Sequence, residues 1–214
     1  LNIRKNIRVM EALKIIRAPA ISLLIPNINT DVIMPSREMR KVERKGLKEG
    51  IFADWRYLPG SRDPDPNFIM NDERFESARI ILGGENFGCG SSREFAVWGL
   101  YEYGFRVIIA PSFGDIFYKN CIVNGFLPAI IENGALEVLN NYCLNASPLE
   151  INLETKTINF NGNSLPFDIN NHARNLLLEG LDQIDRTLEY TEKIDTFINA
   201  DKKNRSWVYV SKIG

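Results

Sequence analysis

Between Gly83 and Glu94 the chain reads Gly-Gly-Glu-Asn-Phe-Gly-Cys-Gly-Ser-Ser-Arg-Glu, the segment best equipped to do chemistry. Four glycines within eight residues let a backbone turn tightly and approach a ligand closely. Ser91 and Ser92 add hydroxyls, and Arg93 adds a forked donor suited to a carboxylate or phosphate. The segment runs into a predicted helix over Ser91 to Tyr103, with Phe95, Trp98 and Tyr103 on one face and Gly104 as its stop. A helix N-terminus presents free N–H groups and the positive end of the dipole, which favour an anion. The implied chemistry is an anion pocket with a hydroxyl at its rim. The same residues would also serve as a plain loop and helix cap. Neither better-known glycine loop is present. Gly88 is followed by Cys89 and not by Lys-Ser/Thr, and Arg93 stands where a dinucleotide fingerprint needs glycine.

Elsewhere the candidates are weaker. Thr30-Asp31 alone reads as a turn or helix cap. Cys89 would be a thiolate nucleophile only if the helix terminus lowered its pKa, and otherwise is a small loop residue. His172, the lone histidine, falls at a polar helix start and reads as surface or capping.

The elements that must position the glycine segment are legible. Ala78–Leu82 is a short apolar run ending at Gly83-Gly84, and predicts a buried strand. Residues 105–110 predict a second strand, closed by Pro111, and residues 125–131 a third. Strand, loop, helix and strand in that order predict a parallel pair with a right-handed crossover. The glycine segment then lies at the carboxyl end of a parallel strand, where open α/β sheets place ligands. Residues 149–153 and 157–160 alternate apolar and polar, as half-exposed strands do, and Asn161-Gly162-Asn163 is a turn signal. Helical patterns occupy residues 170–179 and 189–200. Residues 18–36 read as loop and short strand, 37–49 as a solvated charged helix or loop, and 56–74 as a surface loop rich in proline. The fold class is α/β with a mixed sheet, parallel core strands and peripheral antiparallel strands.

Composition narrows the function. The 214 residues carry 26 Lys+Arg against 27 Asp+Glu, a net charge of −1 that lacks the footprint of a nucleic-acid binder. A hydrophobic share of 44% with 25% charged fits a folded globular domain. One histidine and three scattered cysteines supply no zinc site of the usual kind. The odd, unpaired cysteines point to a reducing compartment, expected to be the cytoplasm. No apolar run approaches the roughly 20 residues needed to cross a bilayer, so no membrane partner is expected. Residues 1–17 are basic and read as an N-terminal extension or helix, 18–200 as a single domain, and 201–214 as a C-terminal tail.

The string from Glu85 to Glu94, followed by Tyr103-Gly-Phe-Arg-Val-Ile-Ile-Ala-Pro-Ser-Phe-Gly-Asp-Ile-Phe117, closely resembles the small subunit of 3-isopropylmalate dehydratase. That family belongs to the swivelling domain of the aconitase superfamily. Asn27-Ile-Asn-Thr-Asp-Val-Ile-Met-Pro35 resembles its Asn-x-Asp-Thr-Asp-x-Ile-x-Pro motif. Phe52-Ala-Asp-Trp-Arg56 is similar to a motif of the bacterial two-subunit type, and Gly180-Leu-Asp182 with Thr187-Leu188 to the C-terminal signature. The resemblance implies a swivel-type β/β/α domain and the isomerisation of 2-isopropylmalate to 3-isopropylmalate, by dehydration and rehydration, in leucine biosynthesis. It implies no cofactor on this chain and a partner large subunit holding a four-iron four-sulfur cluster, one iron of which acts as a Lewis acid. It makes Ser91 the catalytic base. Arg93, Ser92, Thr30 and Gly90 become substrate-binding positions, with Ser92 also able to cap the helix. Asp31 joins the catalytic set by orienting a partner residue.

Two positions depart from the family pattern. Phe95 stands where the family has histidine, and Asn29 where it has the first aspartate of Asp-Thr-Asp. Both departures suit a paralogue acting on another hydroxy-diacid, of the citraconate, methylmalate or homoaconitate type. In the family the loop after Pro35 selects the substrate side chain. Here Arg37 or Arg40 would meet a carboxylate there or remain solvated. A non-catalytic carboxylate-binding module and a cysteine hydrolase using Cys89 and His172 are the rivals from other classes.

Overall fold

The structure is a computed structural model that describes residues 10–39, 46–180, 187 and 190–209. The chain divides into two compact units, one through Gly180 and one from Leu181. The expected single domain over 18–200 therefore differs from the observed division. The signature at Leu181-Asp182 and Leu188, and the basic residues 1–9, lie outside the described residues.

The first unit is built on a seven-stranded sheet. Its strands are β1 (Ile15–Leu23), β2 (Ile80–Gly83), β3 (Val107–Ala110), β4 (Leu127–Ile130), β5 (Pro148–Asn152), β6 (Thr157–Phe160) and β7 (Asn163–Pro166). Their order is β4-β3-β2-β1-β5-β6-β7. The β1 to β4 side is parallel and the β1-β5-β6-β7 side antiparallel, the mixed sheet expected. Strand β1 joins the two halves. Ile15 to Pro19 pair with β5, and Ala20 to Leu23 with β2. Pro19 stands opposite Pro148 at the last position of the β5 ladder, where a missing N–H costs least.

Strands β2 and β3 are buried along their whole length because helices cover both faces of the sheet. One core takes Ile80, Leu82, Val107 and Ile109 and packs them under α5 (Asn133–Cys143) and α6 (Asn171–Glu179). The other takes Ile81, Ile108 and Ala110 and is covered by α3 (Glu94–Tyr103). Each such buried aliphatic side chain contributes about 1.5–3 kcal/mol, so the centre of the sheet is the rigid base for its loops. Helix α4 (Asp115–Val123) serves both cores, sending Phe117 and Cys121 to one and Ile122 to the other. Short helices α1 (Thr30–Ile33) and α2 (Ala53–Arg56) lie in the connection between β1 and β2.

Three expectations need correction. Residues 10–17 are not an appendage: Met10, Leu13 and Ile16 are buried, and β1 begins at Ile15. Helix α3 begins at Glu94 and not at Ser91, so the glycine segment continues as loop through Arg93. Helices α4 and α5 appear where none was read. The second unit carries α7 (Thr191–Asn204), which has no buried residue. Among the described residues no helix is long and apolar enough to cross a membrane.

Candidate active site

The site is built where the loops after β1, β2 and β3 run side by side. Asn27 N–H donates to Glu85 O at 2.8 Å, Gly88 N–H to Ile28 O at 2.7 Å, and Thr30 N–H to Cys89 O at 2.9 Å. On the other flank Phe87 N–H donates to Ser112 O at 3.0 Å and Gly114 N–H to Phe87 O at 2.9 Å. The sheet's hydrogen-bonding order thus continues into the loops, with parallel bridges at Asn29–Cys89 and Phe87–Phe113. Gly88 is required twice over. Its φ is +74°, and a Cβ there would sit 2.2 Å from the Phe117 ring. Gly90, at φ +92°, turns the chain towards Ser91, and a Cβ there would meet Asn29 Cβ at 3.5 Å and Thr30 Oγ1 at 3.8 Å, ordinary contact distances.

These contacts bring Thr30-Asp31 against Ser91-Arg93. Thr30 is 1% exposed, and its hydroxyl donates to Ser91 O at 2.9 Å. Arg93 N–H donates to the same carbonyl at 2.8 Å. The Arg93 guanidinium pairs with the Asp31 carboxylate. Asn29 caps α1, its side-chain oxygen accepting from Val32 N–H at 2.9 Å, a bond an aspartate would also make. Thr30, Asp31, Gly90, Ser91 and Arg93 therefore form one cluster, with Gly90, Ser91 and Ser92 exposed. Ser92 does not cap the helix: Arg93 flanks Glu94, and no side chain caps α3.

Behind the cluster lies a polar network that sequence reasoning passed over. Glu94, Trp98 and the buried Asn124 are joined by hydrogen bonds. The available signal was an asparagine next to Gly125 at the end of an apolar segment. Phe95 packs on Trp98 with ring centroids 4.9 Å apart, so the family's histidine position is taken up by an aromatic contact.

Arg37 pairs with Asp54 of α2 and with Glu38, and is exposed; its Asp54 hydrogen bond leads the causes that raise its pKa. Arg40 lies outside the described residues. A cavity of about 730 Å³ opens at the carboxyl ends of β3 and β4, between Ser112, Ile130, Glu132 and Asp168. It reaches Glu85, where the glycine loop starts, but is not lined by Ser91 or Arg93.

The cysteines do not converge. Cys121 and Cys143 are buried in opposite cores, and Cys89 is in the loop with its thiol 3.5 Å from Asn27 O. Burial pushes the Cys121 thiol well up and the Cys143 thiol to about 12, so neither is a thiolate ligand in waiting. Among the described residues no group of three His, Cys, Asp or Glu is placed to hold a metal. His172 is exposed in the first turn of α6, its N–H bound by the Asn170 cap.

Residues 10–134 match the family of the aconitase C-terminal domain. A 3-isopropylmalate dehydratase small subunit of Cupriavidus necator is 44% identical over 205 residues, 94% of this chain and 99% of that protein. One of Bacillus licheniformis is 41% identical over 93% of this chain and 99% of its own length. A crystal structure of 3-isopropylmalate dehydratase from Methanocaldococcus jannaschii matches with a TM-score of 0.61 and 27% identity, covering 88% of this chain and 99% of that one. On identity along nearly the whole length and on a shared fold, the chain belongs to the family of 3-isopropylmalate dehydratase small subunits, built on the aconitase swivel domain.

Proposed function

We propose that this chain is one half of a hydro-lyase that isomerises 2-isopropylmalate to 3-isopropylmalate in leucine biosynthesis, working with a large subunit in the cytoplasm. The observation that carries the reading is the meeting of Thr30-Asp31 with Ser91-Arg93 through the Thr30–Ser91 hydrogen bond and the Asp31–Arg93 ion pair. The name small subunit, borne by the relatives, implies a large partner. The scattered thiols here do not fit an iron–sulfur cluster, so the four-iron four-sulfur cluster belongs to that partner. When bound there it supplies Lewis-acid chemistry to the departing hydroxyl.

This chain supplies the proton transfer and a carboxylate clamp. Arg93 receives one substrate carboxylate in its fork. Ser91 Oγ takes the carbon-bound proton and returns one on rehydration. A serine alkoxide is unfavourable in water, and Ser91 is exposed in the chain alone. The partner must therefore cover the loop, since exclusion of water strengthens the stabilisation from Arg93 and the loop amides. Asp31 holds Arg93 until substrate arrives and orients a partner residue. Gly90 gives the backbone its close approach, and Ser92 adds a hydroxyl to the rim. Asn29 and Phe95 are accounted for by capping and packing and do not by themselves call for another substrate.

Co-expression with the cluster-bearing subunit tests this reading. The pair should produce isopropylmalate-dependent absorbance of the unsaturated intermediate, and S91A should abolish it while assembly persists. A pair that is silent with isopropylmalate but turns over a citraconate, methylmalate or homoaconitate-type acid would replace the substrate. Binding without turnover of any of them would leave a carboxylate-binding module.

A further inference from the structure

The first residue of α3 directs a carboxylate inward. Glu94 Oε1 accepts from Trp98 Nε1 at 3.1 Å and from Asn124 Nδ2 at 2.9 Å. Asn124 closes α4 and is 4% exposed. Its Oδ1 accepts from Trp98 Nε1 at 3.0 Å, and its Nδ2 also donates to Asn120 O at 2.8 Å. The buried amide is therefore engaged through both its oxygen and its nitrogen. Such a network favours one arrangement, because withdrawing the Glu94 carboxylate leaves a buried Asn124 N–H without its acceptor. Here the arrangement ties the start of α3 to the end of α4.

Glu94 is also the covalent neighbour of Arg93, whose guanidinium meets Asp31 and whose N–H meets Ser91 O. Any shift of Glu94 moves both groups together. We propose that Glu94, clamped by Asn124 and Trp98, is a positioning residue that sets the reach of Arg93 and Ser91 towards the substrate. The proposal rests on the roles given to Ser91 and Arg93 above. Glu94 itself has no contact with substrate in this scheme.

The test compares E94A with E94Q, which keeps an acceptor oxygen. In the reconstituted pair, E94A should lower kcat by about tenfold to a hundredfold, with a smaller change in KM, since a misplacement near 1 Å costs that much. E94Q should recover most of the loss. In the full chain without its partner, NMR should show the amides of Gly90 to Arg93 and the Arg93 Nε–H displaced in E94A and returned in E94Q. If E94A fails to fold, W98F, which removes one donor, should displace the same signals by less. Unmoved signals with wild-type kcat in a folded E94A would overturn the proposal, as would equal impairment in E94Q. A wild-type pair inactive on every diacid would instead defeat the functional reading, while the NMR signals would still decide the positioning.

Discussion

The Asp31 carboxylate and the Arg93 guanidinium are paired across 62 positions of sequence. Beside them Thr30 and Ser91 are joined side chain to backbone, so the two loops are locked at two successive points. The ion pair is partly open, with side chains 23% exposed for Arg93 and 50% for Asp31. It gives Arg93 an anion of its own, which under the proposed role a substrate carboxylate would have to displace or share.

R93A should therefore separate stability from activity. A partly exposed pair contributes about 0–1 kcal/mol, so urea unfolding should shift by no more than that. Turnover by the reconstituted pair should be lost. A loss of several kcal/mol would make the pair a structural bridge and not a clamp.

T30V probes the second lock. Valine fills the buried site but lacks the donor to Ser91 O, which retains Arg93 N–H. Stability should fall by about 1 kcal/mol, the usual net value of such a bond, and T30S should restore it. Turnover should fall in T30V and recover in T30S. Unchanged turnover in T30V would separate Thr30 from the site.

Two glycines in one loop should behave differently. G90A meets only the left-handed backbone penalty of roughly 1–2 kcal/mol, and should fold. G88A adds a methyl group 2.2 Å from the Phe117 ring and should cost about 1–3 kcal/mol more through overpacking. Thermal unfolding of both variants checks the order, and equal losses would contradict the close approach at Gly88.

Glu102 offers a pH test. Burial opposes its ionisation, but three backbone N–H groups, of Gly46, Leu47 and Lys48, outweigh that and hold its pKa below the ordinary value. A carboxyl depressed on folding stabilises fully above its unfolded pKa, about 4.3 for glutamate. The contribution is then lost as pH falls through the folded value. The stability gap between wild type and E102Q should therefore be constant near neutrality and close below about pH 4. A gap unchanged at pH 3 would remove Glu102 as the anchor of residues 46–48.

Much of this architecture was legible because burial leaves a pattern. Strands β2 and β3 read as apolar runs, and β5 and β6 alternate with Leu149, Ile151, Ile158 and Phe160 inward. Strand β1 is obscured by Arg17, inside the β5 ladder, and by Pro19, at the change of partner, where no local signal tells that one strand serves two ladders. Helix α5 carries a stripe of Leu136, Leu139 and Cys143, but its opening Asn133-Gly134 looks like a turn. In α4 the β-branched residues Ile116, Ile122 and Val123 hid the helix. Thr30, Asp31, Gly90, Ser91 and Arg93, which the fold brings together, each stand in a motif visible in the sequence. The Asp31–Arg93 pairing is not visible there, because it exists only once β1 and β2 lie adjacent and parallel.

Strand β1 also has consequences for the order in which the protein is made. Its second half finds β2 after about sixty further residues, whereas Ile15 to Pro19 form their ladder with residues 148–152. Until those emerge from the ribosome, strand β1 keeps one edge unsatisfied. Pairing over such a separation is slow and leaves an apolar edge open to association. Refolding from denaturant should thus be limited by closure of the β1–β5 ladder, long after the glycine loop has the neighbours it needs.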